Sequence, residues 1–376
     1  MQTLKLRKRI DPFIPSIGIA LSVFGLVMIL SASQISSAEN YGNPYHFFTR
    51  QLVAWVIGLM GFFYFLRTPL EKLYQNRSWY LGIAIFLLML VFVPGIGAPI
   101  AGVHRWVHIA GWQFQPSDFT KLFLLIYLAA WLSSKNEIAG HFSRGFLPFC
   151  LVLLVVLGLV EVGHDLSTLV IIAVMSLSIF LVAQTKWWQT LLLVVGGLAV
   201  VFFLIFSTGY RQDRLGVFLG GSNKITNNSS SSTSKLDDYH AQQALIAIGN
   251  GGLWGVGFGQ GISKYAYLPE SHTDSIFAVI AEELGFVRAS LVILAFMFLG
   301  WRIYLIALKA NSQFVKLLAV GGGVLIIFQA LVNIGGMLGL IPLSGVTLPL
   351  LSYGGTSLMI NMFILGLLTN ASREVI

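Results

Sequence analysis

The sequence predicts an all-α membrane protein, a polytopic bundle of ten transmembrane helices with one large extracytoplasmic loop. Two properties of the 376-residue chain support this prediction: 56% of its residues are hydrophobic and only 10% are charged. A helical span needs about 20 apolar residues, so the length accommodates roughly ten spans and one long loop. Backbone groups inside a bilayer must bond within their own segment, which favours helices for continuous apolar runs. A soluble nucleotide-binding enzyme is excluded.

The apolar runs define the spans in chain order. We place them at 12–33, 51–66, 79–93, 117–131, 145–160, 167–182, 188–206, 274–300, 315–340 and 348–368. The large loop is the segment of about 207–273 between the seventh and eighth spans, and the chain, 1–376, is treated as one transmembrane domain. Within this loop, 221–235 is a Ser/Asn-rich stretch with no catalytic assignment, and 249–261 is dense in glycine, as in a re-entrant turn packed against helices.

The basic residues predict the orientation of the chain. There are 23 Lys and Arg against 15 Asp and Glu, and the basic residues concentrate in the N-terminal tail, in alternate short connections and in the C-terminal tail. By the positive-inside rule both termini are cytoplasmic and the large loop lies outside. Because these charges lie between apolar runs rather than on one basic face, nucleic acid is not expected as a partner.

The sequence offers little metal or redox chemistry. The single cysteine, Cys150, lies in an apolar run, which excludes an intrachain disulfide and a cysteine-based metal site. His104 and His108 are four residues apart but have no evident third ligand, which argues against zinc. No residue is therefore predicted as a metal ligand, while assistance by a divalent cation such as Mg²⁺ or Mn²⁺ is left open.

Charged side chains within the spans are functional candidates, because each costs about 2.5–3.5 kcal/mol at mid-bilayer. Asp118 and Lys121 are three residues apart on one helical face and can pair, either as a structural ion pair or as a site in which the lysine binds phosphate. Asp165 precedes Leu-Ser-Thr, as a helix N-cap would, and Asp274 stands at the start of the eighth span. Asp274 is either a helix cap or a carboxylate beside an outward cavity that takes a proton from a hydroxyl.

Basic residues in the outer loops suggest a second half of the same site. Arg105 precedes the fourth span, and Arg211 and Arg214 follow the seventh. The planar guanidinium group suits pyrophosphate oxygens, although snorkelling to the membrane interface explains each arginine equally well when it is taken singly. Together with Lys121 these arginines would form a cationic outer pocket.

At this point the motifs resemble a known family. The segments that carry the resemblance are 105–106, 114–118 with Lys121, 165–168, 247–252, 268–274, 282–286 and 348–355. In this order they resemble the SEDS proteins (shape, elongation, division and sporulation), which include the FtsW and RodA polymerases of bacterial peptidoglycan. The segments 242–245, 255–260 and 345–349 look more like FtsW, which favours the division branch.

The resemblance implies a peptidoglycan glycosyltransferase that polymerises lipid II, the undecaprenyl-pyrophosphate disaccharide-pentapeptide, at the outer face of the cytoplasmic membrane during division or elongation. The family aspartate maps onto Asp274 as the general base. The implied substrate-binding residues are Arg105, Gln115, Asp118, Lys121, Asp165, Arg211, Arg214, Glu270 and His272. The implied partners are a class B penicillin-binding protein acting as transpeptidase and other membrane proteins of the divisome or elongasome.

Several positions depart from the family pattern. Asp118 stands where the family usually has Glu, Ser275 replaces a common Phe, and Arg288 stands where glycine is typical. None of these departures removes the predicted base. Two other functions remain open at this stage: a lipid II flippase, because ionisable residues in spans also mark translocation routes, and a non-catalytic divisome scaffold.

Overall fold

The protein is a bundle of helices with one small sheet. The computed structural model describes residues 10–100, 103–109, 112–134, 141–183, 186–207, 212, 215–216, 218, 232–265 and 268–375. The helices are α1 (Phe13–Tyr41), α2 (His46–Arg67), α3 (Leu70–Gln75), α4 (Arg77–Leu90), α5 (Pro116–Ser133), α6 (Leu147–Val162), α7 (Leu166–Val182), α8 (Trp187–Phe206), α9 (Ser232–Gly251), α10 (Ile276–Lys309), α11 (Gln313–Met337) and α12 (Gly355–Ser372). A π-helical turn, Phe142–Phe146, leads into α6.

Each of the ten predicted spans overlaps one of these helices. Seven helical segments in the described part of the chain are long and apolar enough to cross a membrane, namely α1, α2, the π turn with α6, α8, α10, α11 and α12. The apolar helices α4 and α7 are shorter, and α5 contains Asp118 and Lys121 within its 18 residues. The helical membrane class is therefore confirmed, and the chain is a multi-pass membrane protein. The number of ten spans stays a prediction.

The packing is densest around the last two long helices. Most of α11 and α12 is buried inside the bundle, whereas α8 is almost wholly exposed at its periphery. The exposed side chains of α8 are large and apolar, among them Leu198, Phe202 and Phe203. Such a surface is stable against lipid tails, which accounts for a helix that has few protein neighbours.

A three-stranded antiparallel sheet lies between α4 and α5, in a region for which the sequence predicted no strand. Its strands are β1 (Gly97–Ile100), β2 (Val103–Ile109) and β3 (Trp112–Phe114), in the order β1-β2-β3. The register pairs Val107 with Phe114 and His108 with Gln113. Valine, isoleucine and tryptophan, which recur in β2, favour strands. This sheet places Arg105 and Trp106 ahead of α5.

Helix α10 is broken near its first third. Gly285 has φ +79° and ψ 174°, which a residue with a Cβ rarely adopts. The glycine-rich segment after α9 fills the break: Val256 and Gly257 donate backbone hydrogen bonds to the carbonyl oxygens of Glu282 and Glu283, both at 3.0 Å. A Cβ at Gly285 would lie 2.2 Å from the nitrogen of Gly255. The glycine-rich segment is thus packed against a helix, as predicted.

Two buried glutamates fasten this segment to the bundle. Glu283 accepts hydrogen bonds from Lys264 Nζ at 2.9 Å, from Ser31 Oγ of α1 at 2.7 Å and from the backbone of Gly259 at 3.0 Å. Glu282 accepts from the backbone and hydroxyl of Ser263. The lysine supplies the opposite charge that a buried carboxylate requires.

Arg288 also contacts the glycine-rich segment. Its guanidinium group donates to the carbonyl oxygens of Trp254 at 2.9 Å and Leu284 at 3.3 Å. Leu284 lies in α10 next to the break at Gly285, and Trp254 lies in the glycine-rich segment that fills this break, so Arg288 links the two. The unusual arginine therefore has a local structural explanation.

Candidate active site

A polar groove runs beside the start of α10. One part of it is a cavity of about 340 Å³ whose lining includes Asp274, Glu270 and Arg50. The other part is a cavity of about 100 Å³ whose lining includes Arg105, Lys121 and Asp165. The two cavities share six lining residues and therefore adjoin. The shared residues are Trp106, Gln115, Gly345, Thr347, Gly354 and Thr356.

Asp274 is half-buried in the wall of the polar groove. Ser275 occupies the N-cap position of α10, so Asp274 precedes the cap rather than serving as it. The main-chain carbonyl of Asp274 accepts a hydrogen bond from Asn333 Nδ2 at 2.8 Å. A Cβ at Gly345, which has φ +65°, would lie 3.4 Å from Asp274 Oδ2. The absence of a side chain at Gly345 thus keeps the groove open beside the carboxylate.

Asp165 and Gln115 meet across the groove wall. Asp165 is the N-cap of α7, because its side chain accepts a hydrogen bond from the backbone of Thr168 at 3.2 Å. Its other carboxylate oxygen accepts from Gln115 Nε2 at 2.8 Å. Asp165 therefore caps α7, as its place before Leu-Ser-Thr predicted, and also lines the smaller cavity.

Asp118 and Lys121 form the predicted ion pair in the first turns of α5. Lys121 Nζ lies 2.8 Å from Asp118 Oδ1, and each side chain is 7% exposed. Thr356 of α12 donates to the second carboxylate oxygen at 2.9 Å. Both members line the smaller cavity. The pair carries no net charge. Because a lysine ammonium group has three protons, Lys121 can bind an anion only while it divides its hydrogen bonds between that anion and Asp118.

Two arginines line the polar groove. Arg105, on β2, donates a hydrogen bond to the carbonyl oxygen of His164. His164 has φ 58° and directly precedes Asp165, the N-cap of α7. Arg50 lies near the start of α2 and lines the larger cavity together with Asp274. Arg211 and Arg214, which the sequence also nominated, lie outside the described residues. Arg50 thus shares a cavity with Asp274, and Arg105 lines the adjoining cavity.

Glu270 and His272 occupy different places. Glu270 is exposed, lines the larger cavity and has φ 50° in the turn that precedes α10. His272 does not line either cavity. Its buried ring packs on Phe47, with centroids 4.4 Å apart, and on Tyr353, with centroids 5.4 Å apart. Burial lowers the pKa of His272, and the negative charge of Glu270 partly opposes this effect.

Several groove residues were not predicted from the sequence. Arg50 is one of them, although a basic residue on the predicted outer side is itself a signal. Gln51 donates to the carbonyl of Ser352 at 3.1 Å and accepts from the backbone of Gly354 at 3.2 Å, so it holds the groove wall. Tyr353 lines the larger cavity, and its backbone nitrogen donates to the carbonyl oxygen of His272 at 2.8 Å.

A metal centre is not evident in the part of the chain that the structure describes. That part contains no group of three or more His, Cys, Asp or Glu side chains placed to hold a metal ion. The carboxylates of the groove are instead engaged with protein donors, as shown for Asp118, Asp165 and Glu270.

Comparison with known proteins places the chain in a family. The FtsW/RodA/SpoVE model, described as a cell cycle protein, matches residues 13–375. A protein of Trichlorobacter lovleyi named probable peptidoglycan glycosyltransferase FtsW is 35% identical over 94% of this chain and 91% of its own length. One of the same name from Thioalkalivibrio sulfidiphilus is 36% identical over 99% of this chain and 92% of its own.

Solved structures give the same result. A structure entitled "Structural coordination of polymerization and crosslinking by a peptidoglycan synthase complex" superimposes with a TM-score of 0.75 at 25% identity, covering 97% of this chain and 98% of the other. The crystal structure of the rod shape determining protein RodA of Thermus thermophilus has a TM-score of 0.70 at 26% identity, with 97% of both chains covered. The motifs, the fold and both comparisons agree: the chain belongs to the FtsW/RodA/SpoVE family.

Proposed function

We propose that this protein polymerises lipid II into glycan strands, with Asp274 as the general base. The enzyme class follows from the family: the relatives that match nearly the whole chain are named peptidoglycan glycosyltransferases, and this chain is one too. The observation that carries the mechanistic proposal is the shared groove, in which the carboxylate of Asp274 lines the same cavity as Arg50 and adjoins the cavity of Arg105 and Lys121.

The groove chemistry suits glycosyl transfer. The acceptor sugar's hydroxyl attacks the donor's anomeric carbon and must lose its proton as the new bond forms. A carboxylate beside the open space at Gly345 can take that proton. Asp274 therefore contacts the reacting hydroxyl in this mechanism, while Glu270 and Gln115 line the same cavity and can orient the sugars.

The leaving group explains the cations. Lipid II loses undecaprenyl pyrophosphate, an anion whose charge grows in the transition state. Arginine's fork of donors matches phosphate oxygens, and a preorganised cation stabilises developing charge more than it stabilises the ground state. We assign this role to Arg50, Arg105 and Lys121, and we retain Arg211 and Arg214 for it from their place in the sequence.

The proposed function also predicts where in the cell the protein acts and which proteins it works with. The basic connections support an orientation with both termini in the cytoplasm, so that the groove opens at the outer face of the bacterial cytoplasmic membrane. A class B penicillin-binding protein would cross-link the glycan product, with other divisome or elongasome proteins in the same assembly. The structural neighbour described as a peptidoglycan synthase complex supports an assembly of this kind.

The test is polymer formation from purified lipid II in matched membranes, with and without the transpeptidase. Asp274→Asn keeps the size of the side chain and removes its basicity, so glycan polymer should fall by at least about 10²-fold. Lipid II binding should be retained. Unchanged polymerisation by Asp274→Asn would refute the base assignment, and lipid II crossing the membrane without polymer would favour a flippase. A scaffold would show neither activity.

A further inference from the structure

Asp274 belongs to a tight turn whose geometry depends on its neighbour. The backbone nitrogens of Thr273 and Ser275 both donate to the carbonyl oxygen of Glu270, at 3.1 Å and 3.2 Å. The main chain of Asp274 lies between these two donors, so a shift of Ser275 is transmitted directly to Asp274.

Ser275 is held by two side-chain hydrogen bonds. Its hydroxyl donates to the carbonyl oxygen of Pro269 at 2.9 Å, and His240 Nε2 lies 2.6 Å from the same hydroxyl oxygen. A serine hydroxyl has one proton, and the carbonyl of Pro269 can only accept. The contacts of Ser275 with Pro269 and His240 are both hydrogen bonds only when His240 Nε2 carries a hydrogen and donates it to Ser275, and we assign this tautomer to His240. Ser275 is fully buried, and water cannot replace this donor.

The histidine comes from a different part of the chain. His240 lies on α9, which is separated from the turn by the glycine-rich segment and packs along α10. Its hydrogen bond thus connects a helix of the large loop to the residue that follows Asp274. The connection depends on serine at position 275, because the hydroxyl of Ser275 is the group that His240 contacts.

We propose that His240 is a positioning residue that aims the Asp274 carboxylate through Ser275, so that α9 controls the catalytic geometry of this chain. This inference rests on the proposed function of Asp274. His240 does not touch the substrate in this mechanism. A loosened turn misdirects the carboxylate, and small misplacements of a catalytic group cost up to about 10²-fold in rate. The loss falls on kcat, because the cations and sugar contacts that determine binding are left in place.

A matched pair of substitutions isolates the hydrogen bond. The side-chain nitrogen of glutamine coincides with Nε2 of histidine, whereas that of asparagine falls one methylene short. In full-length protein, His240→Gln should keep the rate of glycan polymerisation within about twofold of wild type, and His240→Asn should lower kcat by about tenfold with KM unchanged. Ser275→Ala, which also loses the bond to Pro269, should lower kcat at least as much as His240→Asn, and the double variant should be no slower than Ser275→Ala. Tyr239→Ala, on the exposed face of α9, is the control for disturbance of the helix.

A second readout does not depend on activity. Amide hydrogen exchange of residues 268–275 should be faster in His240→Asn than in His240→Gln or wild type, because opening of the turn loses one anchor. Equal kcat and equal exchange in His240→Asn and His240→Gln would overturn the proposal. Losses of activity and of melting temperature that are the same in both variants would also overturn it. If Asp274→Asn polymerises normally while exchange still separates the pair, the general base has failed but the coupling of α9 to the turn has not.

Discussion

The side-chain amide of Asn333 donates a hydrogen bond to the main-chain carbonyl of Asp274 at 2.8 Å. The same amide reaches the carbonyl of Val346 at 2.6 Å, and Asn333 is buried in α11. One side chain thus joins the turn before α10 to the segment that carries Gly345. These are the two walls between which the Asp274 carboxylate lies.

Replacing Asn333 should therefore damage both stability and activity. Asn333→Leu keeps the volume but leaves two carbonyl oxygens without their donor, which should cost about 1–3 kcal/mol of unfolding free energy. Polymerisation should slow as the walls separate. Unfolding in detergent and lipid II turnover measure the two effects. Asn40→Ala, which removes an exposed asparagine that bonds only to its own helix, should change neither. A Leu variant as stable and active as wild type would contradict the role of Asn333.

The buried pair of Asp118 and Lys121 predicts a non-additive result. Lys121→Met leaves the Asp118 carboxylate buried without its cation, which should destabilise the fold by about 3–5 kcal/mol. The double variant Asp118→Asn with Lys121→Met buries no charge and should regain much of that loss. Denaturant unfolding of both variants tests this expectation. If the double variant is the less stable of the two, the pair is not held as a neutral unit.

The sequence was most informative where a signal is local. The spacing of Asp118 and Lys121 fixes them on one helical face, and the pair forms. Asp165 before Leu-Ser-Thr indicated a cap, and it is one. The apolar runs gave each predicted span a matching helix, since hydrophobicity and backbone bonding act along the chain.

Contacts between distant segments were not predictable from the chain. Arg50 reaches the groove because α2 packs against α12, and Lys264 meets Glu283 because a glycine-rich segment fills the break at Gly285. The three-stranded sheet was missed because short apolar strands in a membrane protein are hard to distinguish from loop residues.

Lys264 should be essential for holding the glycine-rich segment in place against α10. Its ammonium group bonds to Glu283, Ser31 and the carbonyl of Gly259, and its side chain is 4% exposed. Lys264→Met removes these three bonds and leaves Glu283 as an unpaired buried charge, a loss of about 3–5 kcal/mol. Amide exchange over residues 256–265 should accelerate more than in the rest of the chain. Lys309→Met, at the exposed end of α10, is the control. Equal exchange in the two variants would contradict the role of Lys264 in holding the glycine-rich segment.

His272 should make stability depend on pH. Burial holds the pKa of its imidazole below the ordinary value of 6.5, and its Nδ1 has no hydrogen-bond partner among the described residues. The unfolded chain therefore binds a proton at a higher pH than the folded protein. The contribution of neutral His272 is fully present above pH 6.5 and is lost as the pH falls from 6.5 through the lower folded pKa.

His272→Phe and His272→Gln cannot titrate, and both should flatten this part of the curve of unfolding free energy against pH. Phe preserves the packing on Phe47 and Tyr353, so it should also be the more stable variant above pH 6.5. A slope below pH 6.5 that persists unchanged in both variants would assign the pH dependence to another group.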